Sequence, residues 1–329
     1  MIKVMATEII SVGHYVPQSM LSNFDLEKIV ETSDEWITER TGIKERRIAE
    51  PGIATSDLAK EAANLALKRA NLSPDDIDVL IVSTATPDTY VVSTACHTQD
   101  KIGARNAYAF DIWAACPGFI YGLKIAKSLI NSGEAKTVLV IGAETLSRFV
   151  DWEDRATCVL FGDGAGAVIV GNSKNDEKII DVFLGSDGSL KDLLIMPAGG
   201  ALKPFSPEVY YKRECYIKMK GREVFKNAVL KMEEAVDIIL SRNNIKPEEI
   251  NFFIPHQANI RIIEALRERL KLPNHKVYVN IEKYGNTSAA SIPIALSEME
   301  EKGLLKRGHL LLLVSFGAGF TWGSALIRW

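Results

Sequence analysis

The sequence predicts an α/β protein in which one α/β unit occurs twice. The segments ANLSPDDIDVLIV (residues 70–82) and NNIKPEEINFFIP (243–255) each join a Pro-acidic-acidic helix start to a short apolar strand. Their prolines are separated by 247 − 74 = 173 residues, and the strands KTVLVIGAE and HLLLLVSFG repeat at the same spacing. Apolar strands that alternate with helices indicate mostly parallel sheets covered on both faces. We therefore expect two halves, residues 1–171 and 172–329.

Composition points to a soluble protein with no strong electrostatic preference for a partner. The 329 residues are 47% hydrophobic and 25% charged, and 39 basic residues face 42 acidic ones. This balance predicts no attraction to nucleic acid or to an anionic membrane. The first residues, MIKVMATEIISVG, do not resemble a signal peptide, and the four cysteines lack metal-binding spacing. We expect a cytoplasmic, reduced and metal-free protein.

Cys116 lies where a predicted strand gives way to a predicted helix. AFDIWAAC is predicted as the strand and PGFIYGLKIAKSLINSG as the helix, with Pro117 at its first position and Gly133 ending it. The positive end of a helix dipole stabilises a thiolate, so we expect a lowered thiol pKa and a nucleophilic sulfur. The alternative is a small buried cysteine with no chemical role.

The second half supplies two polar partners and a glycine-rich turn. His256 follows the apolar strand in FFIPHQANIRII, and Asn286 lies in the turn of EKYGNTSAAS. The turn SFGAGFTWGS can aim main-chain N–H groups at an oxyanion. Alone, each is more often a scaffold residue or a turn. Because α/β folds place their sites at strand ends, finding all of them there favours a shared site.

Each half also carries one long insertion. These are LSRFVDWEDRATCVLFGDG in the first half and MPAGGALKPFSPEVYYKRECY before the second set of elements. Long loops in a compact domain are usually functional or disordered, so we expect these two to cover the site.

Six separated motifs closely resemble the β-ketoacyl-acyl-carrier-protein synthase III enzymes of the thiolase superfamily. The motifs span the chain: TSDEWITERTGIKERR, the AAC-x-GF segment, DWEDRATCVLFGDGAGA, PHQANIRII, YGNTSAAS and FGAGFTWGSALIRW. The resemblance implies a thiolase-like fold, with duplicated halves in a five-layer α-β-α-β-α sandwich, and a homodimer. It also implies the initiating condensation of type II fatty acid synthesis.

The resemblance assigns a role to each candidate residue. Cys116 would take an acyl group from acyl-CoA, and His256 with Asn286 would act on malonyl-acyl carrier protein. Decarboxylative Claisen condensation would then give 3-oxoacyl-acyl carrier protein, CO2 and CoA. The main-chain N–H groups of Cys116 and Ala318 would form the oxyanion hole, and neither a metal nor a redox cofactor is required.

Three sets of binding residues follow from the same resemblance. The CoA-binding set is Trp36, Arg40, Thr41, Arg155, Phe225, Asn259 and Arg261. The carrier-protein set is Arg261, Lys226 and Arg269, within a basic patch that includes Arg267 and Lys271. The acyl-pocket set is Val91, Val92 and Phe316, and the family builds this pocket partly across the dimer.

Three positions depart from the commonest family pattern. Pro117 follows the cysteine, Ala318 replaces the middle residue of a Gly-Gly-Gly run, and Val91-Val92 replaces the Phe-Pro of many acetyl-using members. Valine in place of an aromatic residue predicts room for a longer or branched primer, as in a related condensing enzyme of a specialised pathway. A Cys-His-Asn hydrolase and a non-catalytic relative are the weaker alternatives. A degradative thiolase would need a second catalytic cysteine, and no cysteine follows Cys215.

Overall fold

The computed structural model describes residues 6–173 and 178–329 and contains two main β-sheets. The strands are β1 Thr7–Tyr15, β2 Met20–Ser22, β3 Glu45–Arg47, β4 Val79–Ser83, β5 Tyr108–Ile112, β6 Thr137–Thr145, β7 Asp163–Asn172, β8 Lys178–Ser186, β9 Leu194–Ile195, β10 Lys218–Met219, β11 Phe252–Pro255, β12 Leu310–Gly317 and β13 Thr321–Arg328. The helices are α1 Asn23–Leu26, α2 Asp34–Thr41, α3 Thr55–Ala70, α4 Thr94–Ile102, α5 Gly118–Ser132, α6 Arg155–Cys158, α7 Pro207–Tyr211, α8 Gly221–Asn243, α9 Ile260–Arg269, α10 Ile281–Tyr284 and α11 Ser291–Glu301.

Helices cover both sheets and also separate them. The first sheet has the order β1-β7-β6-β4-β5, and the second has the order β11-β12-β13-β8. Helices α3 and α4 pack on the first sheet, α8 and α9 share a hydrophobic core with the second, and α5 and α11 contact strands of both. Nine of the eleven residues of α11 are buried, as expected for a helix enclosed on all sides. The predicted five-layer α/β fold is confirmed.

The repeat found in the sequence appears as equivalent elements. The 3₁₀ turns Pro74–Asp76 and Pro247–Glu249 precede β4 and β11, which pair in parallel with β6 and β12 in their respective sheets. Helices α5 and α11 begin 173 residues apart, at Gly118 and Ser291. The strands of each sheet come from one side of residue 173, although division of the chain into two independent domains stays a prediction.

The expectation of mostly parallel sheets is wrong, because both sheets are mixed. β4 pairs in parallel with β5 and β6, whereas β7 pairs antiparallel with β6 and with β1. In the second sheet only β11 and β12 are parallel. Residues 318–320 join β12 to β13, and three residues are too few for the crossover that a parallel pair requires.

The predicted strand before Cys116 is too long by four residues. β5 ends at Ile112, and Ala115 adopts a left-handed φ of 48°, which no strand residue can have. The helix begins at Gly118, with Pro117 at the N-cap position just before it, and ends as predicted at Gly133 with φ 80°. Within residues 6–173 and 178–329, no helix combines the length and apolarity needed to cross a membrane.

Candidate active site

Cys116, His256 and Asn286 line one cavity of about 480 Å³. Cys116 precedes α5, His256 follows β11, and Asn286 lies between α10 and α11. The three residues come from both sheets, so packing of the two sheets around α5 and α11 creates the site. The structure therefore brings the three predicted residues together in one cavity.

Gly317 at the end of β12 touches the nucleophile. A Cβ atom at Gly317 would lie 2.8 Å from the Cys116 nitrogen and 2.9 Å from the Cys116 Cβ, which is too close for any side chain. Glycine at this position thus allows the C-terminal strand pair to approach Cys116. Ala318 and Gly319 of the adjoining turn line the second cavity together with Cys116.

The predicted fall in the pKa of Cys116 is wrong. Burial raises the pKa of this thiol to about 12, the nearby Glu144 carboxyl adds to the rise, and the Ser288 side chain opposes it. Desolvation of the anion outweighs the favourable field at the start of α5. The thiol is therefore protonated at neutral pH, and its proton must be removed before it attacks.

His256 is held as a neutral hydrogen-bond donor. Its Nδ1 lies 2.7 Å from Ser291 Oγ, and Ser291 Oγ accepts the Gln257 main-chain N–H at 3.4 Å, which leaves the hydroxyl proton for Nδ1. Burial lowers the pKa of His256 to about 3. Nε2 has no partner among the described residues. This arrangement favours the tautomer that carries a proton on Nε2.

Asn286 is fixed through its main chain and its amide oxygen. Its main-chain N–H donates to the Leu160 carbonyl at 2.8 Å, and its carbonyl accepts the Gly162 N–H at 3.0 Å. Its Oδ1 accepts the Ser288 N–H at 2.8 Å, so the amide group is oriented. The Nδ2 group donates to no other residue in the described ranges and is left for a ligand.

The departure at Ala318 is structurally harmless. Ala318 does not adopt a left-handed φ, whereas Gly319, the next residue, has φ 133° and requires glycine. Among the described residues, the main-chain N–H groups of Cys116 and Ala318 form no hydrogen bond with another residue. Both donors are free for an oxyanion.

The predicted CoA-binding residues all line the same cavity as Cys116. Arg155 lies over the Trp36 ring, with its Cζ 4.8 Å from the ring centre, and the Cζ of Arg40 lies 5.5 Å from that centre. The Asn259 side chain donates to the Arg40 carbonyl at 3.0 Å and caps α9. Four arginines line this cavity, whereas no aspartate or glutamate of the described residues does. Its wall suits a polyanionic ligand.

A second cavity of about 470 Å³ opens on the other side of Cys116. Its wall is largely apolar and includes Trp113, Leu146, Phe149 and Met196. The first long insertion, residues 146–164, lines both cavities, whereas the second, residues 196–216, lines only the second cavity. Phe316 instead lines the first cavity, and Val91 and Val92 line neither cavity of this chain.

Of the three predicted carrier-protein residues, only Arg261 lines the first cavity, and Lys226 directly follows Phe225, which also lines it. Arg261 and Lys226 are exposed, and the Arg261 Cζ lies 6.0 Å from the centre of the Phe225 ring. Arg269 lies 3.5 Å from Asp237, so a neighbouring acid partly neutralises its charge.

Sequence reasoning missed four polar residues of the site. Arg222 lines the first cavity three residues before Phe225, so its position in GREVF was a usable signal. Ser291 orients His256, and Ser288 lines the second cavity together with Cys116. Glu144 is buried beside Cys116 inside a strand, where sequence gives no signal.

Comparisons with known proteins agree with this geometry. Residues 110–188 match the family model for 3-oxoacyl-[acyl-carrier-protein] synthase III, and residues 240–329 match the model for the C-terminal part of the same enzymes. A curated β-ketoacyl-[acyl-carrier-protein] synthase III of Caldanaerobacter subterraneus is 56% identical, and the match covers 99% of this chain and 98% of the relative. This chain belongs to the β-ketoacyl-[acyl-carrier-protein] synthase III family.

Other members of the synthase III family show how closely the whole chain follows the family fold. The Aquifex aeolicus enzyme is 55% identical, with coverage of 99% of this chain and 100% of that protein. A crystal structure of the A. aeolicus enzyme superposes with a TM-score of 0.91 over 98% of this chain and 100% of that one. The Pseudomonas aeruginosa structure gives 0.90 at 39% identity, with 98% of each chain covered. The chain is a condensing acyltransferase of the kind that initiates type II fatty acid synthesis.

Proposed function

We propose that this protein transfers an acyl primer from acyl-CoA to Cys116 and condenses it with malonyl-acyl carrier protein. One observation carries the proposal: Cys116, His256 and Asn286 line a cavity whose wall also holds four arginines. The arginines suit the phosphates of CoA and the phosphopantetheine arm of a carrier protein. The products are 3-oxoacyl-acyl carrier protein, CO2 and CoA.

His256 and Asn286 are assigned to the decarboxylation step. Loss of CO2 from a malonyl thioester leaves an enolate, whose oxygen needs neutral hydrogen-bond donors. The His256 Nε2–H and the Asn286 Nδ2 group are the two donors left without a protein partner in the described ranges. The carbanion then attacks the Cys116 thioester, and the N–H groups of Cys116 and Ala318 stabilise the tetrahedral intermediate. This chemistry uses no metal or redox group.

The direct test follows the acyl group through both steps. Incubation with acetyl-, isobutyryl- or hexanoyl-CoA should add the mass of the acyl group to the peptide that contains Cys116. Addition of malonyl-acyl carrier protein should then remove this mass and yield the 3-oxoacyl product. If none of the three acyl-CoA thioesters labels Cys116, the proposed transfer is wrong.

Replacing Trp36 with alanine should raise the KM for acyl-CoA about tenfold and change kcat less than about threefold. We propose that the adenine of CoA stacks between Trp36 and Arg155, whose guanidinium already lies over the ring. Loss of an aromatic stacking partner costs about 1–3 kcal/mol and removes binding without touching the reacting atoms. Steady-state kinetics with varied acyl-CoA measure the effect. Phe24→Ala, which removes an exposed aromatic ring outside both cavities, is the matched control.

We further propose a homodimer that covers the exposed edge of the first sheet. β5 is the edge strand, and its Tyr108 and the adjoining Trp113 are exposed, as are Tyr90 and Val91 in a neighbouring loop. A long exposed apolar edge is a site for pairing with another chain. Across such a dimer, Val91 of each chain would close the second cavity of the other.

Replacing Val91 with phenylalanine should shift primer preference towards acetyl-CoA. Val91 is fully exposed and lines neither cavity of its own chain. Its φ of 81° is uncommon for a β-branched residue. An added ring should reduce kcat/KM for hexanoyl-CoA at least about tenfold relative to acetyl-CoA. Leu304→Phe, at an exposed leucine outside both cavities, controls for added bulk. An unchanged ratio would show that Val91 does not bound the acyl group.

Carrier-protein binding is assigned to Arg261 and Lys226, with a smaller part for Arg269. The first two are exposed, Arg261 lines the first cavity, and Lys226 follows Phe225, which also lines it. Both can therefore contact an acidic partner while its phosphopantetheine arm enters the cavity. The proposed compartment for these substrates is the cytoplasm.

A further inference from the structure

The second insertion, residues 196–216, is a loop that is closed on itself. The main-chain N–H of Ala198, near its start, donates to the carbonyl of Glu214, near its end, at 3.1 Å. Three residues of the loop line the second cavity beside Cys116, namely Met196, Ala198 and Gly200. The position of this loop therefore helps to set the shape of that cavity.

Arg213 makes every hydrogen bond and ion pair that joins this loop to the rest of the described chain. Its Nε donates to Asp151 Oδ2 at 2.8 Å, and its Nη2 donates to Asp151 Oδ1. Its Nη1 lies 3.1 Å from a carboxylate oxygen of Glu153. The two contacts with Asp151 form the bidentate pairing that a guanidinium makes with a carboxylate. One side chain thus fastens the second insertion to the first.

Asp151 is the buried partner in this contact. Only 3% of its side chain is exposed, and Lys218 on β10 supplies a second cation, with its Nζ 3.1 Å from Oδ2. Loss of one cation would leave a buried carboxylate poorly compensated, so this pair holds more strongly than an exposed ion pair does. The first insertion also lines the second cavity, at Leu146, Phe149 and Phe161. The contact therefore joins two walls of one cavity.

The second cavity is the apolar space into which an acyl group on Cys116 can extend. The first cavity carries four arginines and suits CoA, whereas the wall of the second is largely apolar. An acetyl group ends close to the sulfur, but a hexanoyl chain extends four carbons further. Each methylene group that an apolar wall covers adds to binding. A wall that is held in place therefore matters more for a long primer than for acetyl.

We propose that Arg213 and Asp151 are positioning residues that set primer specificity by holding the loop 196–216 as a wall of the acyl cavity. Neither residue lines a cavity, so they act through Met196 and Ala198, which do. When the contact is broken, the wall moves and a long primer loses its apolar contacts, while acetyl keeps its own. The proposal rests on the acyl transfer to Cys116 proposed above.

Variants of the same loop test the proposal and supply the matched control. Arg213→Gln removes the charge that pairs with Asp151, and Arg213→Lys keeps a charge as the conservative variant. Asp151→Asn breaks the contact from the other side, and a double variant combines it with Arg213→Gln. The control is Lys212→Gln, which removes a neighbouring charge whose partner, Glu208, lies within the loop.

The measurement is kcat/KM for Cys116 acylation, expressed as the ratio of the longer primer to acetyl-CoA. The longer primer is isobutyryl- or hexanoyl-CoA, whichever acylates the parent faster. Arg213→Gln and Asp151→Asn should each lower this ratio about tenfold, with the acetyl-CoA value within about threefold of the parent. The double variant should have no lower a ratio than the single variants, because both break the same contact. Lys212→Gln should keep the parent ratio, and Arg213→Lys should recover most of it.

Chymotrypsin cleavage measures the attachment of the loop itself. Phe205, Tyr210 and Tyr211 are exposed aromatic residues of the loop and are sites for this protease. Cleavage after them should be about tenfold faster in Arg213→Gln and unchanged in Lys212→Gln, because a released loop opens more often. Unchanged cleavage in Arg213→Gln would contradict the proposal, since other contacts would then hold the loop.

The primer ratio separates this proposal from a general loss of stability and from failure of the proposed function. Damage to the fold lowers acylation by both primers equally and leaves the ratio unchanged. An unchanged ratio in Arg213→Gln or Asp151→Asn, or an equal fall in Lys212→Gln, refutes the proposal, and acyl transfer stands. A parent that accepts only acetyl-CoA also refutes it, because no longer primer then uses this wall. If the parent forms no acyl-enzyme, both proposals fail.

Discussion

Cys116→Ala is expected to abolish transfer of the acyl group to the protein and to reduce condensation at least about 10³-fold. The sulfur forms the covalent bond in the proposed mechanism, and no neighbouring group can replace it, because removal of a nucleophile leaves only binding and oxyanion stabilisation. Intact mass after incubation with acyl-CoA measures the first step, and formation of 3-oxoacyl product measures both. A mass increase equal to the acyl group in Cys116→Ala would show that the nucleophile lies elsewhere.

The chain provides its own control for this experiment. Cys96 is an exposed free cysteine on α4 that lines neither cavity. Cys96→Ala should therefore retain the full mass increase and the full condensation rate. Equal loss in both variants would indicate damage to the fold rather than removal of the nucleophile.

His256→Ala is expected to slow decarboxylation of the malonyl group about 10²- to 10³-fold and leave acylation of Cys116 nearly intact. One enolate donor is lost, and the remaining Asn286 amide provides only part of the stabilisation. Release of labelled CO2 from malonyl-acyl carrier protein and the mass of the acyl-enzyme separate the two steps. Equal slowing of both steps would mean that His256 also serves acylation, which would contradict the division of roles proposed here.

The pH dependence of decarboxylation gives an independent check on His256. Because burial lowers the pKa of the imidazole to about 3, the ring is neutral throughout the range from pH 5 to pH 9. We therefore expect no inflection near pH 6.5 in the rate of decarboxylation from protonation of this ring. His309→Gln, which changes a half-buried histidine outside both cavities, should decarboxylate at the parent rate.

The sequence was sufficient to predict the parts of the fold and site that depend on local pattern. The repeat revealed that β4 corresponds to β11 and that α5 corresponds to α11, because hydrophobic periodicity and Pro-acidic-acidic helix starts are local signals. Cys116, His256 and Asn286 were found because each lies at an element boundary. The family motifs identified seven candidate CoA-binding residues, and all seven line the first cavity.

What the sequence did not reveal depends on long-range packing. In the first sheet, the antiparallel pairing of β6 with β7 depends on where the insertion between them returns the chain, and no residue pattern marks that. The raised pKa of Cys116 and the burial of Glu144 arise only when the two sheets close around α5. Glu144 lies in the strand ending VIGAET, where a single acidic residue has the appearance of a strand terminus.

The contact between Gly317 and Cys116 has a consequence during protein synthesis. The ribosome adds Gly317 some two hundred residues after Cys116, and Ala318 follows it. A nascent chain that has emerged only as far as β8 carries the cysteine without His256, Asn286 or the turn that supplies the second oxyanion donor. Such an incomplete chain lacks the groups that acyl transfer requires and is expected to stay inert towards cellular thioesters. Acyl transfer becomes possible only once the final hairpin has paired and covered the sulfur.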